Sequence, residues 1–234
     1  MEATALATRG QEATDVEEFS ASAELGRAPA AARRIHAAAK RAIDVVVATS
    51  LLLCTAPISL LVAILIKIVD RGPVLFWQVR IGRDGREFWF PKFRSMRVGA
   101  HLLHRQMLPH NDHRHGPTFK MKQDPRVTRL GRAIRTLSLD ELPQLWSVLA
   151  GDMSLVGPRP PLPHEVAQYT PTQKRRLEVK PGLTCLWQVS GRSTLAFADQ
   201  VALDIEYIDK QSLWLDLKLL LLTVPAVLTC RGAW

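Results

Sequence analysis

Cysteine is scarce in this chain of 234 residues, and the three present, Cys54, Cys185 and Cys230, form no Cys-x-x-Cys pair. An odd, scattered set excludes a disulfide framework and suits a reducing, cytoplasmic compartment. No Gly-x-x-x-x-Gly-Lys-[Ser/Thr] loop and no convincing Gly-x-Gly-x-x-Gly occurs, so neither fingerprint accounts for nucleotide binding. Internal repeats are missing too. Near Met1 no short apolar core ends in a small-residue cleavage site, so no secretory signal peptide is expected. No His-Glu-x-x-His helix or Cys/His array appears, although five of the seven histidines fall between His101 and His115. That cluster reads as a polar connecting loop, with a metal site the weaker alternative.

What remains is apolar and basic. Hydrophobic residues make up 47% of the chain, enough to bury one good core in a single domain with appendages. The formal charge of +9 calls for an anionic partner: nucleic acid, lipid phosphate or a nucleotide. Residues 1–39 open with a stretch rich in Ala, Glu, Ser and Thr, which reads as a disordered tail. Residues 40–69 carry the uncharged run Val45 to Ile66, long enough to cross a bilayer core as a helix.

Two features set a plain span against a re-entrant helix. Pro57 falls near the middle, where it removes a helix hydrogen bond and bends the segment. Cations also flank both ends: Arg33, Arg34, Lys40 and Arg41 before it, and Lys67, Arg71, Arg80 and Arg83 after it. A span concentrates Lys and Arg on its cytoplasmic side, so symmetric flanks favour a helix that dips into one leaflet and returns. The acidic tail pulls towards a span, and the sequence leaves both open.

Residues 70–234 read as the soluble domain. Gly72 to Phe90 suggests two strands turned at Asp84-Gly85, and Lys92-Phe93-Arg94 follows directly, where a hairpin can hold cations over a site. A basic helix runs to about Arg135 and Thr136. Gly151 to Pro161 reads as a rigid loop, and its proline-fixed Arg159 suits clamping a phosphate. Pro181 to Arg192 reads as a strand and turn, with Trp187 core or membrane-facing. A helix from about Phe197 to Asp209 carries Asp204, and the apolar run from Ser212 to Leu228 reads as an interfacial helix.

The centre of the chain is Arg135 to Leu145, where Asp140 and Glu141 adjoin an apolar pattern of Leu142, Leu145, Trp146 and Leu149. Ser138 and Glu141 fit a capping box; alternatively the helix starts at Pro143 and the carboxylates lie on the loop before it. Either way they stand at a helix N-terminus, which favours anions and can keep an aspartate ionised as nucleophile or metal ligand. Paired carboxylates suit Mg²⁺, and turn-borne arginines neutralise a transferring phosphoryl group. A membrane-tethered nucleic-acid binder would explain the charge but not the carboxylates. A non-catalytic scaffold would explain the membrane segment and tolerate loss of Asp140.

Six ordered motifs then resemble the bacterial sugar transferases, the monotopic phosphoglycosyl transferases. They are Gly72-Pro73-Val74-x-Phe76-x-Gln78-x-Arg80-x-Gly82, Lys92-Phe93-Arg94-Ser95-Met96, Asp124-Pro125-Arg126-Val127-Thr128, Leu139-Asp140-Glu141-Leu142-Pro143-Gln144, Ser154 to Pro160 and Lys180-Pro181-Gly182-Leu183-Thr184. The resemblance implies an α/β, mostly helical fold with a small β-hairpin, a re-entrant membrane helix and interfacial amphipathic helices. It implies the bacterial inner membrane as location, with the catalytic domain facing the cytoplasm. The reaction it implies moves a sugar 1-phosphate from a UDP-sugar to undecaprenyl phosphate, releasing UMP, with Mg²⁺ as cofactor. Glucose or galactose is favoured by Trp187 to Arg192. By residue match Asp140 is the nucleophile and Glu141 holds Mg²⁺ beside it, while Lys92, Arg94, Arg135, Arg159, Arg192 and Asp216 bind substrate. Membrane lipids are partners, nucleic acid is not expected, and a homodimer is left open. Ala56 and Cys185 depart from the family's common Ser and Gly.

Overall fold

A computed structural model of the chain describes residues 30–111, 117–119, 121–191 and 194–229. The part of the expected tail before residue 30 lies outside these, as do His113, His115 and Arg192. From Ala30 the chain is already helical. Helix α1, Ala30–Asp70, contains Pro57 and takes in the last ten residues assigned above to the tail. It is long and apolar enough to cross a membrane by length and composition. Leu53, Leu60, Leu61 and Ile68 point away from the protein, each more than half exposed.

The inward stripe of α1 meets the domain near both ends. Lys40 bonds Asp216 at 2.6 Å, and Arg41 donates to the carbonyls of Val148 and Leu149 at 2.5 and 2.7 Å. Asp44 accepts from Ser154 Oγ and Leu155 N. Some twenty residues further on, Val62 and Ile66 are buried with Phe93 and Ile134. These anchors leave the middle of α1 with its apolar side chains outward.

Strands β1, Leu75–Ile81, and β2, Glu87–Phe93, form the expected antiparallel hairpin, with Leu75 opposite Phe93 and Ile81 opposite Glu87. Asp84 (φ 57°) and Gly85 (φ 79°) turn it in the left-handed region, which Asp and Gly tolerate best. Alternation along β2 puts Phe88 and Phe90 into the core, and Lys92 continues that face.

Helix α2, Arg129–Thr136, starts on Thr128, whose hydroxyl accepts from Gly131 N at 2.9 Å. Helix α3, Gln144–Ala150, buries Leu145 and Val148, and Gly151 ends it in the left-handed conformation. The stretch read above as a rigid loop contains strand β3, Ser154–Val156, parallel to β4, Gly182–Thr184. Here Gly157 and Gly182 approach so closely that a Cβ on Gly182 would stand 2.1 Å from Gly157 N. Only glycine permits that approach. After β4 a helical turn, Leu186–Ser190, replaces the expected turn, and Trp187 is buried in the core. Helices α4, Phe197–Asp209, and α5, Leu213–Leu228, complete a mostly helical fold carrying two small two-stranded sheets.

Candidate active site

Asp140 and Glu141 lie in a tight turn, Leu139–Glu141, between α2 and α3. The capping box does not form. Ser138 adopts φ 56°, ψ 19° and its side chain caps nothing; α3 begins after Pro143, so the carboxylates sit on the loop before it. A proline ring fixed at helical φ starts the helix and removes no needed donor.

Asp140 is buried. Burial first, and the Glu141 charge second, push its carboxyl up from 3.8 to about 6, against the pull of Lys92, Arg135 and Arg159. Lys92 rises from the hairpin floor with Nζ 5.1 Å from the centre of the Phe90 ring. Its ammonium is pulled down to about 7 by burial, then by Arg159 and Arg80; Glu141 and Asp140 oppose that. Arg159 projects from the Pro158–Pro161 loop and donates to Glu141 Oε1 at 2.7 Å. Burial alone would lower its pKa, but the Glu141 charge outweighs it and raises it. Arg135, at the end of α2, is lowered by burial and donates Nε to Ser95 Oγ at 2.8 Å. A cavity of about 1330 Å³ joins these groups, lined by Lys92, Arg94, Arg135, Asp140, Glu141 and Arg159 among others.

The remaining expected site residues fall differently. Arg94 lines the cavity, but its guanidinium is buried under Gly72, with Nη2 3.9 Å from Asp70 Oδ2. Asp216 stands apart from Asp140: Lys40 and the Tyr207 hydroxyl occupy its carboxylate at 2.6 and 2.7 Å. There it ties α1 to α5, and it lines a separate pocket of about 270 Å³. Arg80 was counted above as a cation flanking the membrane segment. The structure instead sets it in the cavity wall, 5.3 Å from the Phe90 ring centre and bonded to Pro160 O at 2.8 Å. Burial and Arg159 lower it to about 10. Period-two alternation with Gln78 and Lys92's facing strand was the available signal. Buried Asp204 pairs with Arg176 at 2.7 Å, a strut beneath Tyr169 and Phe197.

Four cations, Arg80, Lys92, Arg135 and Arg159, thus surround two carboxylates. The surplus positive charge fits a ligand with more than one negative charge, and a buried aspartate among them can attack a phosphorus they neutralise. For a divalent cation, the described residues offer no cluster of three or more ligating side chains. Asp140 and Glu141 repel each other, as the upward shift of Asp140 records, and an oxygen-seeking ion relieves that repulsion. Two carboxylates with water and substrate phosphate match how Mg²⁺ is usually held, so the residues fit it.

The family model for bacterial sugar transferases matches residues 35–230, and the chain belongs to that family. It is 48% identical over 200 residues to a protein named galactosyl transferase CpsE from Streptococcus agalactiae, covering 85% of this chain and 44% of that protein. It is 41% identical to exopolysaccharide production protein ExoY from Rhizobium meliloti, covering 87% of this chain and 92% of that one. An undecaprenyl-phosphate galactose phosphotransferase from Salmonella typhimurium is 39% identical, covering 87% and 43%. The chain therefore spans less than half the length of two of these relatives and nearly all of the third.

Proposed function

We propose that this transferase moves a hexose 1-phosphate, glucose or galactose, from a UDP-sugar to undecaprenyl phosphate. An oxygen of Asp140 attacks the phosphorus bonded to the sugar, the bond to the UMP oxygen breaks, and its electron pair leaves with UMP. A lipid phosphate oxygen then attacks the same phosphorus and releases the Asp140 carboxylate. The carrying observation is the burial of Asp140 in one cavity with Lys92, Arg80, Arg135 and Arg159. These cations spread the negative charge that builds on the transferring group. Arg159, held by Glu141 and by prolines on both sides, is oriented before substrate arrives. Glu141 and Asp140 would hold Mg²⁺, which would supply further charge neutralisation at the phosphates.

The relative named for undecaprenyl-phosphate galactose transfer supports the acceptor and, of the two sugars, galactose. We place the domain at the cytoplasmic face of the inner membrane, and a re-entrant α1 is supported by its anchors. Lys40 and Ile66, about 39 Å apart along a straight helix, both pack on the same domain. A rigid span would carry one of those ends away from it. The test uses purified protein and UDP-sugar without acceptor. The expected result is a burst of about one UMP per active site and a phosphosugar adduct on Asp140. No burst, with kinetics that require a ternary complex, points to direct attack by the lipid.

A further inference from the structure

The cavity around Asp140 has one wall of a different character. On that side α1 contributes Leu51 and Thr55, four residues apart on one helix face, and α5 contributes Leu220, Thr223, Val224 and Val227. The α5 residues follow the i, i+3, i+4, i+7 spacing of a single stripe. None of the six is charged, in a chain whose formal charge is +9. The polar atoms on this wall are turned inward: Thr55 Oγ1 bonds Leu51 O, and Thr223 Oγ1 bonds Leu219 O and faces Thr184 Oγ1. The surface they leave is hydrocarbon.

This wall is continuous with the catalytic turn, where Leu139 and Leu142 line the same cavity beside Asp140 and Glu141. Its two helices also carry exposed apolar faces: Leu53, Leu60 and Leu61 on α1, and Leu217, Leu221 and Leu222 on α5. The outer end of the groove therefore opens between surfaces that themselves need an apolar medium. A nucleotide sugar has no hydrocarbon part to place there. An acceptor that carries its phosphate on a long hydrocarbon chain must bring the phosphate to Asp140 while keeping the chain out of water.

We infer that the groove between α1 and α5 is the site for the isoprenoid chain of the lipid acceptor, close to its phosphate. This rests on the two-step transfer proposed above. The chain lies between Leu51 and Val224, and its phosphate reaches the cation-lined part of the cavity past Leu139 and Leu142. Burial of methylene and methyl groups holds it, so affinity depends on chain length and on groove width, with no ion pair involved.

The experiment fills the groove in the full chain held in nanodiscs. Val224 is 58% exposed, so Val224→Trp adds bulk to the groove without displacing the core. The expected result is a rise of about tenfold in KM for a long polyprenyl phosphate, a binding loss of ~1.4 kcal/mol. The KM for UDP-sugar stays put, the donor-only UMP burst persists, and an acceptor with no isoprenoid chain, methyl phosphate, is used as well as before. Leu221→Trp, on the outer face, serves as the control for added bulk alone. An unchanged long-chain KM would mean the groove belongs to bilayer lipid and overturns the inference. So does an equal rise for the long-chain acceptor and for methyl phosphate. A lost burst in Val224→Trp, with the wild-type burst intact, makes the groove structural; no burst in the wild type defeats the two-step reading instead. If the variant fails to fold, a long polyprenyl phosphate bearing a diazirine near its phosphate end decides on the wild type. Labelling within 213–228 and 51–55 is expected, and labelling confined to the outer faces overturns the assignment.

Discussion

Arg159 and Glu141 meet at 2.7 Å, and the contact joins the proline-bounded loop after β3 to the turn carrying Asp140. Both side chains are partly buried, at 26% and 20% exposure, so screening by water is limited but not absent. Removing either partner leaves the other charge poorly compensated. Arg159→Ala is expected to cut kcat/KM by about a hundredfold or more, the scale on which lost charge stabilisation is felt at a transferring group. Arg159→Lys, which keeps the charge but not the planar fork, should recover only part of that. Steady-state assays of UMP release measure both.

Asp140 gives a prediction in which activity and stability move in opposite directions. Its folded pKa of about 6 lies above the usual 3.8, so between those values the folded state binds the more protons. Stability therefore falls as pH rises through that window, and at neutral pH the ionised carboxylate costs the fold about 1–3 kcal/mol. Asp140→Asn should be inactive yet melt higher than the parent at pH 7.5, with the difference vanishing below about pH 4. Thermal melts across pH measure this.

If Asp140 is the nucleophile and Lys92 its charge partner, as proposed, the two together set the pH range of the free enzyme. Attack needs Asp140 ionised, above about 6, and charge neutralisation needs Lys92 protonated, below about 7. A bell-shaped kcat/KM profile follows, with a narrow top between those values. Lys92→Arg should remove the alkaline limb and leave the acidic limb in place. An alkaline limb that survives this substitution would assign it to another group.

Ser95 is expected to act through Arg135. Its hydroxyl accepts from Arg135 Nε, and its carbonyl lies where a Cβ on Gly131 would come within 1.9 Å. Ser95→Ala should lower kcat about tenfold, as one guanidinium loses its orientation. Ser95→Thr should restore most of it, a rescue that a purely steric role would not show.

Asp216 tests the separation of scaffold from site. Asp216→Ala leaves Lys40, partly buried, with only the Val156 carbonyl and should cost ~2 kcal/mol of stability, with UDP-sugar KM unchanged in the folded fraction. A selective rise in that KM would return Asp216 to the substrate site.

The hairpin was legible because Asp84-Gly85 is a left-handed turn signal between apolar runs, and helix α4 was legible to its last residue. The Leu139–Glu141 turn was legible in its carboxylates but not in its geometry. Ser138 fits a capping-box pattern, yet it adopts a left-handed conformation that no local rule demands. Arg80 was misread as a membrane flank because alternation in a strand says which residues share a face but not which face is inward. The pairing of Asp216 with Lys40, 176 residues away, lay beyond any local pattern. The same holds for β3 and β4, three residues each and parallel, whose pairing depends on two glycines 25 positions apart.

The anchors of α1 also set an order of assembly. Lys40, Arg41 and Asp44 leave the ribosome more than a hundred residues before their partners Val148, Ser154 and Asp216. At translation rates of roughly 5–20 residues per second, the Lys40 to Asp44 end of this apolar helix waits several seconds without its partners. Over that interval the bilayer is the only large apolar surface within reach. Helix α1 should be seated in lipid before the domain closes on it, so the domain folds onto a membrane-bound template. Synthesis without membranes should then yield aggregate, and vesicles supplied during translation should rescue folding where vesicles added afterwards do not.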